Sequence, residues 1–236
     1  MAVALAGQLR EGTKKSHTMA ENTGFVACFL KGVVEKKSYR KLISDLYFVY
    51  QAMEEEIERL VQEEHPVIKP IGFKSLFRKE TLENDLKFYF GDNWRNEINI
   101  SRSAKEYVNR IHSVAKNSPE LLVGHHYTRY IGDLSGGQIL KKIAKKALNL
   151  DGNNGLSFYE FENIDDEKKF KEEYSKTLNQ LPINQTIADQ IIDEANKAFK
   201  YNMKMFKELE GNLIAVLGKI VFNYITKKVR KGSTET

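Results

Sequence analysis

Residues 39–64 read YRKLISDLYFVYQAMEEEIERLVQEE, and the apolar side chains in this stretch recur every three to four residues. The apolar stripe consists of Leu42, Leu46, Val49, Tyr50, Met53, Ile57 and Leu60. Glu54, Glu55 and Glu58 belong to the opposite, polar side of the pattern. A period near 3.6 residues is typical of an amphipathic α-helix that turns one face to a core. The stretch therefore predicts a long helix and a helical fold around it.

Helical patterns continue on both sides of this stretch. From Asn184 onward, a second stripe with helical spacing is predicted to face the core. Its inner positions are Ile187, Ile191, Ala195, Ala198, Asn202, Met205 and Leu209. The opposite, outer face carries Lys197, Lys200, Lys204 and Lys207. Residues 118–120 and 165–167 have the form of helix starts, the first leading into a helix over 119–149. Further patterns cover 3–23, 24–35, 80–90, 101–117 and 211–229, and no segment alternates as a strand does. We predict an all-α bundle of about eight helices.

The length and composition of the chain bound its organisation. Its 236 residues suit one or two domains, and with Pro 4 and Gly 15 no flexible tether divides them. A hydrophobic content of 41% with 29% charged residues excludes a disordered or collagen-like chain. No fixed-period repeat indicates a solenoid. We predict a single domain over residues 1–236, with a polar tail from about residue 230.

Simple counts argue against several functions. The formal charge of +5 favours acidic partners, but the lysine clusters accompany no nucleic-acid-binding motif, so no nucleic acid is expected. The lone Cys28 cannot form an intramolecular disulfide and is expected to be buried. No apolar run reaches the about 20 residues of a transmembrane helix, and no basic region precedes the N-terminal apolar stretch. Neither a membrane anchor nor a signal peptide is therefore expected.

The five histidines do not fit common metal or hydrolytic motifs. None follows a Glu by three residues, and no His-Glu-x-x-His or Gly-x-Ser-x-Gly sequence occurs. His17 stands out because Glu21 follows one helical turn later. A metal-bound imidazole needs an acceptor for its second ring nitrogen, and a carboxylate supplies one. The pair predicts a ligand and its orienting group; the alternative is a partly buried structural histidine.

The segment YTRYIGDLSGGQ, residues 127–138, places three glycines inside a helical pattern. Each costs up to about 1 kcal/mol of helix stability relative to alanine. Gly132 and Gly136 share one face, where they allow a kink and let the backbone approach a flat ligand or, alternatively, another helix. Asp133 lies one turn after Arg129, where it forms an ion pair or, if turned inward, orders water.

Basic side chains elsewhere are candidates for binding an acidic ligand. They are Arg10, Lys14, Lys168, Lys169 and Lys171. The alternative for each of them is a solvated helix face.

These residues together resemble one known family. Residues 118–142, SPELLVGHHYTRYIGDLSGGQILKK, are similar to the signature of the haem oxygenases, most closely the soluble kind of cyanobacteria and algal plastids. Residues 9–22, 47–57 and 196–210 support the likeness, which covers nearly the whole chain. The resemblance implies haem held between a proximal N-terminal helix and a glycine-kinked distal helix.

The resemblance also implies roles for the residues nearest the iron. His17 would be the proximal ligand of the haem iron, oriented by Glu21. Gly132 and Gly136 would lie against the distal face, so that bound dioxygen is bent toward the α-meso carbon.

Further implied roles concern protons and the haem propionates. Asp133 would anchor the water network that delivers protons, with the side chains of Tyr50, Arg129 and Asn202 as members. The positions that match propionate contacts are Arg10, Lys14, Tyr127 and Lys171.

Two departures from the family pattern stand out. Ser175 occupies a position where relatives usually carry an arginine that helps to hold a propionate, so Lys171 or Lys176 is expected to take over that contact. His125-His126 replaces the usual His-Ala, and we expect both histidines to be structural.

The implied reaction opens haem at the α-meso carbon with O2 and donated electrons and yields biliverdin IXα, CO and Fe2+. Haem b would be both substrate and prosthetic group. Because no flavin or nicotinamide fingerprint is present, electrons would come from outside the chain. The resemblance implies that reduced ferredoxin supplies them. A bilin reductase would follow in pigment synthesis, in a plastid stroma or a cyanobacterial cytoplasm.

Two other functions remain open from the sequence. One is a non-catalytic haem-binding or haem-sensing protein. The other is a thiaminase-like member of the same broad helical fold, although nothing marks Cys28 as a nucleophile.

Overall fold

The structure is a computed structural model that describes residues 3–232, and for residues 211–232 it describes the backbone alone. Between residues 3 and 232 the chain forms helices and connecting turns without a strand, which confirms the predicted all-α class. The α-helices are α1 (Leu5–Glu21), α2 (Gly24–Leu30), α3 (Lys36–Gln62), α4 (Lys79–Phe90), α5 (Trp94–Glu97), α6 (Arg102–Asn117), α7 (Leu122–His126), α8 (Gly132–Ala147), α9 (Glu167–Asn179) and α10 (Gln185–Gly232). Within the described range, no helix is long and apolar enough to cross a membrane.

Side-chain caps mark the starts of α3 and α9. Glu35 accepts a hydrogen bond from the Ser38 amide at the start of α3, at 2.8 Å. Asp166 does the same for the Lys169 amide at the start of α9, at 3.0 Å. A capping oxygen satisfies one of the amide groups that the first turn of a helix leaves without a partner. The acidic run at 165–167 therefore predicted the start of α9 correctly.

The core forms where α3 and α10 meet their neighbours. α3 packs against α4 and α6, and α10 packs against α1, α6 and α7. The predicted apolar stripe of α3 is buried throughout, and so are the predicted inner positions of α10 from Ile191 to Leu209. The hydrophobic periodicity of both helices is thus confirmed by their packing.

Glu54 is the exception on α3, because the prediction that it lies on the polar face is wrong. Only 4% of Glu54 is exposed. Its carboxylate accepts hydrogen bonds from the amides of Arg78 and Lys79 at the start of α4, and from the Tyr130 hydroxyl at 3.2 Å. These donors compensate for the burial of a polar group that the sequence pattern assigned to solvent.

Several predicted boundaries also differ. α2 ends at Leu30, not near residue 35, because Gly32 turns the chain with a φ of 76°. The predicted separate helix over 211–229 is wrong: α10 continues as one helix to Gly232. A lone Gly211 without a following proline does not end a helix.

Of the predicted polar tail, residues 233–236 lie outside the described residues. Cys28 is half-buried where full burial was expected.

The predicted helix over 119–149 is interrupted. It consists of a 3-10 turn at Pro119–Leu121, then α7, then a π-helical turn at Tyr127–Ile131, then α8. A single π-helical turn inside a helix is a common feature of functional sites. We expected the glycines to interrupt the regular helix. The interruption is this π-helical turn, which ends at Ile131, immediately before Gly132.

Gly124 explains how closely α7 packs on α10. A Cβ atom at this position would lie 2.7 Å from the carbonyl oxygen of Ile191 and 2.8 Å from the amide nitrogen of Ala195. Neither backbone atom can move without deforming α10, so a side chain is excluded. This contact fixes the segment that carries the distal residues.

Candidate functional site

A cleft of about 690 Å³ separates α1 from the π-helical turn and the start of α8. Its walls include His17 on one side and Gly132 and Gly136 on the other. The volume lies within the roughly 300–1,000 Å³ that small-molecule sites occupy. Residues 115 positions apart in the chain thus face one cavity, as the resemblance implied.

The α1 wall presents an imidazole to this cleft. The side chain of His17 is 58% exposed, and its Nδ1 lies 3.6 Å from a carboxylate oxygen of Glu21. That separation allows an electrostatic contact but is too long for a hydrogen bond. The Phe199 ring meets the imidazole edge-on, with 5.9 Å between ring centroids. The alternative, a partly buried structural histidine paired with Glu21, does not account for an imidazole this exposed that also lines a cleft.

The α8 wall is open where side chains are missing. A Cβ atom at Gly132 or at Gly136 would meet no other atom within 4 Å, whereas one at Gly137 would touch the Tyr159 ring. Gly132 and Gly136 therefore do not serve helix packing, which was the alternative explanation for them. They leave space in the cleft that any side chain would occupy.

A hydrogen-bonded network lies behind the α8 wall. Arg129 donates from Nε to the Tyr50 hydroxyl at 3.1 Å and from a terminal nitrogen to Asn202 Oδ1 at 3.0 Å. Its other terminal nitrogen is 3.6 Å from Asp133 Oδ1. The four residues that the resemblance grouped around proton delivery are thus brought together by α3, the π-helical turn, α8 and α10.

Asp133 is the least satisfied member of this network. Its side chain is 16% exposed, and its Oδ2 atom is buried without a hydrogen-bond partner. Burial raises the pKa of this carboxyl well above its usual range. The group also lines a small pocket of about 90 Å³ whose other walls are mostly apolar, including Phe25 and Phe158. A carboxyl whose pKa is raised in this way keeps its proton to a higher pH than an ordinary aspartate does.

A second cavity, which we call the side chamber, adjoins one end of the cleft. It has a volume of about 430 Å³ and shares Arg10 and Tyr127 with the cleft. Lys171 and Ser175 of α9 line its far wall, while Lys14 lines the cleft itself. Three of the cations expected to meet an acidic ligand, Arg10, Lys14 and Lys171, therefore line the cleft or the side chamber.

Three of the other basic candidates have different surroundings. Lys168 and Lys169 are exposed and line neither cavity. Lys176, the other expected substitute for the missing arginine, is also exposed and absent from both linings. The hydroxyl of Ser175 donates to the Lys171 carbonyl at 2.8 Å, so it is already occupied.

Sequence reasoning missed Glu54 and Gly124 as residues that support this site. Glu54 binds Tyr130, whose neighbour Arg129 organises the network. Its position one helical turn after Tyr50 was an available signal, since residues four apart share a helix face. His125 and His126 are both fully buried and line neither cavity, in accordance with the structural role expected for them.

Comparisons with known proteins agree on one family. A family model described as heme oxygenase matches residues 3–208. Heme oxygenase 1 of Synechocystis sp. is 61% identical over 236 residues, covering 100% of this chain and 97% of that protein. Heme oxygenase of the alga Porphyra purpurea is 50% identical, with 100% of this chain and 99% of that protein covered.

Solved structures give the same result. The crystal structure of Synechocystis heme oxygenase-1 in complex with heme superposes with a TM-score of 0.90 and 62% identity, covering 94% of this chain and 100% of that one. The heme oxygenase structure from Leptospira interrogans gives a TM-score of 0.84 at 43% identity, covering 87% of this chain and 100% of that one.

Proposed function

The chain belongs to the haem oxygenase family, and from this premise we propose that it opens haem at the α-meso carbon in the cleft between α1 and α8. O2 and donated electrons are consumed, and biliverdin IXα, CO and Fe2+ are formed. The observation that carries the proposal is the pairing of an exposed imidazole on one wall with side-chain-free glycines on the other. Such a cleft would take a flat molecule, and the imidazole would supply a ligand to a metal that the molecule carries.

The residues present fit haem b as substrate and prosthetic group. Bound haem would supply the iron that binds and activates O2. His17 would hold that iron, and Glu21 beside Nδ1 leaves Nε2 as the ligand atom. Gly132 and Gly136 would admit the macrocycle on the distal side and direct O2 toward the α-meso carbon.

Asp133 supplies the proton chemistry in this proposal. In this proposal Asp133 would anchor the water network that delivers protons to the substrate, because burial raises the pKa of its carboxyl and Oδ2 has no hydrogen-bond partner in the protein. Arg129 holds Oδ1 from the other side, and Tyr50 and Asn202 fix the guanidinium in place. A globin-like protein that stores O2 would instead place here a donor side chain that holds neutral dioxygen without giving up its proton.

Arg10, Lys14, Tyr127 and Lys171 bind the haem propionates in this proposal. Arg10 and Tyr127 line both cavities, Lys14 lines the cleft, and Lys171 lines the side chamber. With Ser175 unavailable, Lys171 is the cation that α9 contributes. Carboxylates that leave water need such charged partners.

Partners and location follow from the family and from the net charge of +5. We assign electron delivery to reduced ferredoxin and consumption of the product to a bilin reductase. Relatives from cyanobacteria and red algae support a cyanobacterial cytoplasm or a plastid stroma as the place of action. One contiguous core supports a single domain over residues 1–236.

The alternative of a haem-binding or haem-sensing protein without catalysis has less support. Synechocystis heme oxygenase 1 matches along the whole chain, and Asp133 gives the distal side a proton donor that simple binding does not require. The two functions differ in whether haem is consumed.

An absorption titration with hemin followed by turnover in the same cuvette tests the proposal. We expect native protein to bind hemin stoichiometrically and, after addition of ferredoxin, its reductant and air, to convert the haem band to a biliverdin spectrum. His17→Ala should lose normal ligation. Haem that binds but persists beside an active reductant would show a carrier or sensor and overturn the enzyme proposal.

A further inference from the structure

His126 connects two helices behind the side chamber. It is fully buried, and its Nδ1 lies 2.8 Å from the hydroxyl of Tyr174 on α9. The two rings also stack, with an interplanar angle of 10° and 5.5 Å between centroids. A hydrogen bond and a stacking contact between the same two buried rings restrict both the distance and the orientation of α9 relative to α7.

The α7 end of this connection is firmly held. Two residues before His126, Gly124 packs directly against the backbone of α10. The His126 ring also meets the edge of Tyr130 at 4.6 Å, and the Tyr130 hydroxyl donates to Glu54. His126 therefore projects from a segment that is tied to α10 and to α3.

The α9 end of the connection forms a wall of the side chamber. Tyr174 lines the chamber next to Ser175, and Lys171 lies one turn earlier on the same wall. The Ser175 hydroxyl is used by the α9 backbone, so Lys171 is the charged group that α9 presents. Its ammonium nitrogen is 3.9 Å from Glu167, a separation that does not fix a long side chain in one place. The position of Lys171 therefore depends on the position of the helix.

The hydrogen bond to Tyr174 is not disturbed by protonation near neutral pH. Burial lowers the pKa of His126 to about 3. The imidazole is consequently neutral, and one ring nitrogen can accept a hydrogen bond.

We propose that His126 is a positioning residue for the carboxylate end of the ligand: through the Tyr174 hydroxyl it fixes α9 so that Lys171 faces the side chamber. The inference rests on the proposed function, because the carboxylates are those of the haem propionates. It gives His126 a role in ligand selection beyond the structural role expected from sequence.

The test compares two probes, hemin and hemin dimethyl ester, which has the same macrocycle and iron but no free carboxylates. Their dissociation constants are measured by absorption titration on wild type, His126→Phe and Tyr174→Phe. Both variants keep a stacked aromatic ring and remove the hydrogen bond from opposite sides. We expect hemin to bind about three- to tenfold more weakly to each, as for one lost buried hydrogen bond, and the ester to bind unchanged.

A double variant distinguishes the positioning of Lys171 from a general loss of packing around α9. If His126 acts through Lys171, the change His126→Phe should cost no further hemin affinity in a Lys171→Gln background. His125→Asn is the matched control, because this neighbouring buried histidine contacts Glu194 and Tyr107 and not α9. It should leave the hemin-to-ester affinity ratio unchanged.

Three results would overturn the inference: equal weakening of both probes, no weakening of either, or additive losses in the double variant. If His126→Phe does not fold, Tyr174→Phe carries the same test, since it only removes a hydroxyl. Failure of wild type to bind hemin at all would count against the proposed function, which distinguishes the two failures.

Discussion

Asp133 is the single residue whose chemistry depends most on its surroundings. An ordinary aspartate on a helix surface is ionised, whereas this carboxyl is buried with one oxygen unpaired and its pKa well above the usual range. Its neighbour Arg129 contacts the other oxygen at 3.6 Å. These surroundings favour the protonated form of the carboxyl more than the surroundings of a surface aspartate do.

We predict that Asp133→Asn leaves hemin binding within about twofold of wild type, because Asp133 lines the small apolar pocket and not the cleft. The rate of biliverdin formation should fall by about 100-fold or more, the usual effect of removing a general acid. Single-turnover absorption kinetics measure both quantities. Asp151→Asn, in an exposed turn, is the control. A rate near that of the control would remove Asp133 from the mechanism.

We predict that the free energy of unfolding depends on pH through the buried carboxyl of Glu54. Burial raises the pKa of its carboxyl from the 4.5 of an ordinary glutamate to about 7. Between these values the native protein holds a proton that the unfolded chain has lost, so the contribution of Glu54 to stability declines as pH rises from about 4.5 to about 7. Glu54→Gln cannot titrate, and its unfolding free energy should lose less over this range. Urea unfolding of both proteins at several pH values measures the difference; parallel curves would show that Glu54 is ionised throughout.

At the scale of elements, the distal segment consists of parts with different tasks. α7 is fixed to α10 by Gly124, the π-helical turn places Arg129 in the network, and α8 opens the cleft with Gly132 and Gly136. Glycines only a few residues apart therefore serve opposite purposes. At Gly124 a side chain is excluded because the α10 backbone is too near, whereas at Gly132 and Gly136 the missing side chains leave open space in the cleft.

Two alanine substitutions in this segment should have opposite effects on stability. Gly124→Ala should destabilise the fold by about 1–3 kcal/mol, because the added Cβ meets α10 backbone. Gly132→Ala meets no atom and should stabilise the protein by roughly 0.5–1 kcal/mol, since alanine favours a helix, while weakening hemin binding. Chemical denaturation and hemin titration together check the pair. Destabilisation by Gly132→Ala would mean that the space beside it is needed by the protein and not by a ligand.

At the scale of the whole molecule, the net charge of +5 is the feature relevant to an electron donor. Opposite charges on two proteins speed their encounter, and salt screens the attraction between exposed groups. We predict that turnover with acidic ferredoxin slows as ionic strength rises. A small neutral reductant should show no such dependence. Ferredoxin kinetics that do not respond to salt at constant haem occupancy would contradict a charge-guided docking.

Much of the fold could be predicted from local patterns. The stripes on α3 and α10 identified buried faces correctly, because a helix repeats every 3.6 residues whatever surrounds it. The spacing of His17 and Glu21, and that of Gly132 and Gly136, identified faces of single helices for the same reason. The boundaries of α2 and the continuity of α10 were less accessible, since turns and helix ends depend on a few side chains and on packing.

The sequence by itself determined the helical class, the family and the residue types available for chemistry. Only the tertiary structure decided which polar groups meet in the interior: Arg129 reaches Tyr50 across 79 positions, and His126 reaches Tyr174 across 48. Glu54 is buried because distant segments supply its hydrogen-bond donors, although its position in the helical pattern predicted exposure to solvent. Helical periodicity arises from hydrogen bonds four residues apart, whereas the partner of a buried polar group is set by the packing of distant segments.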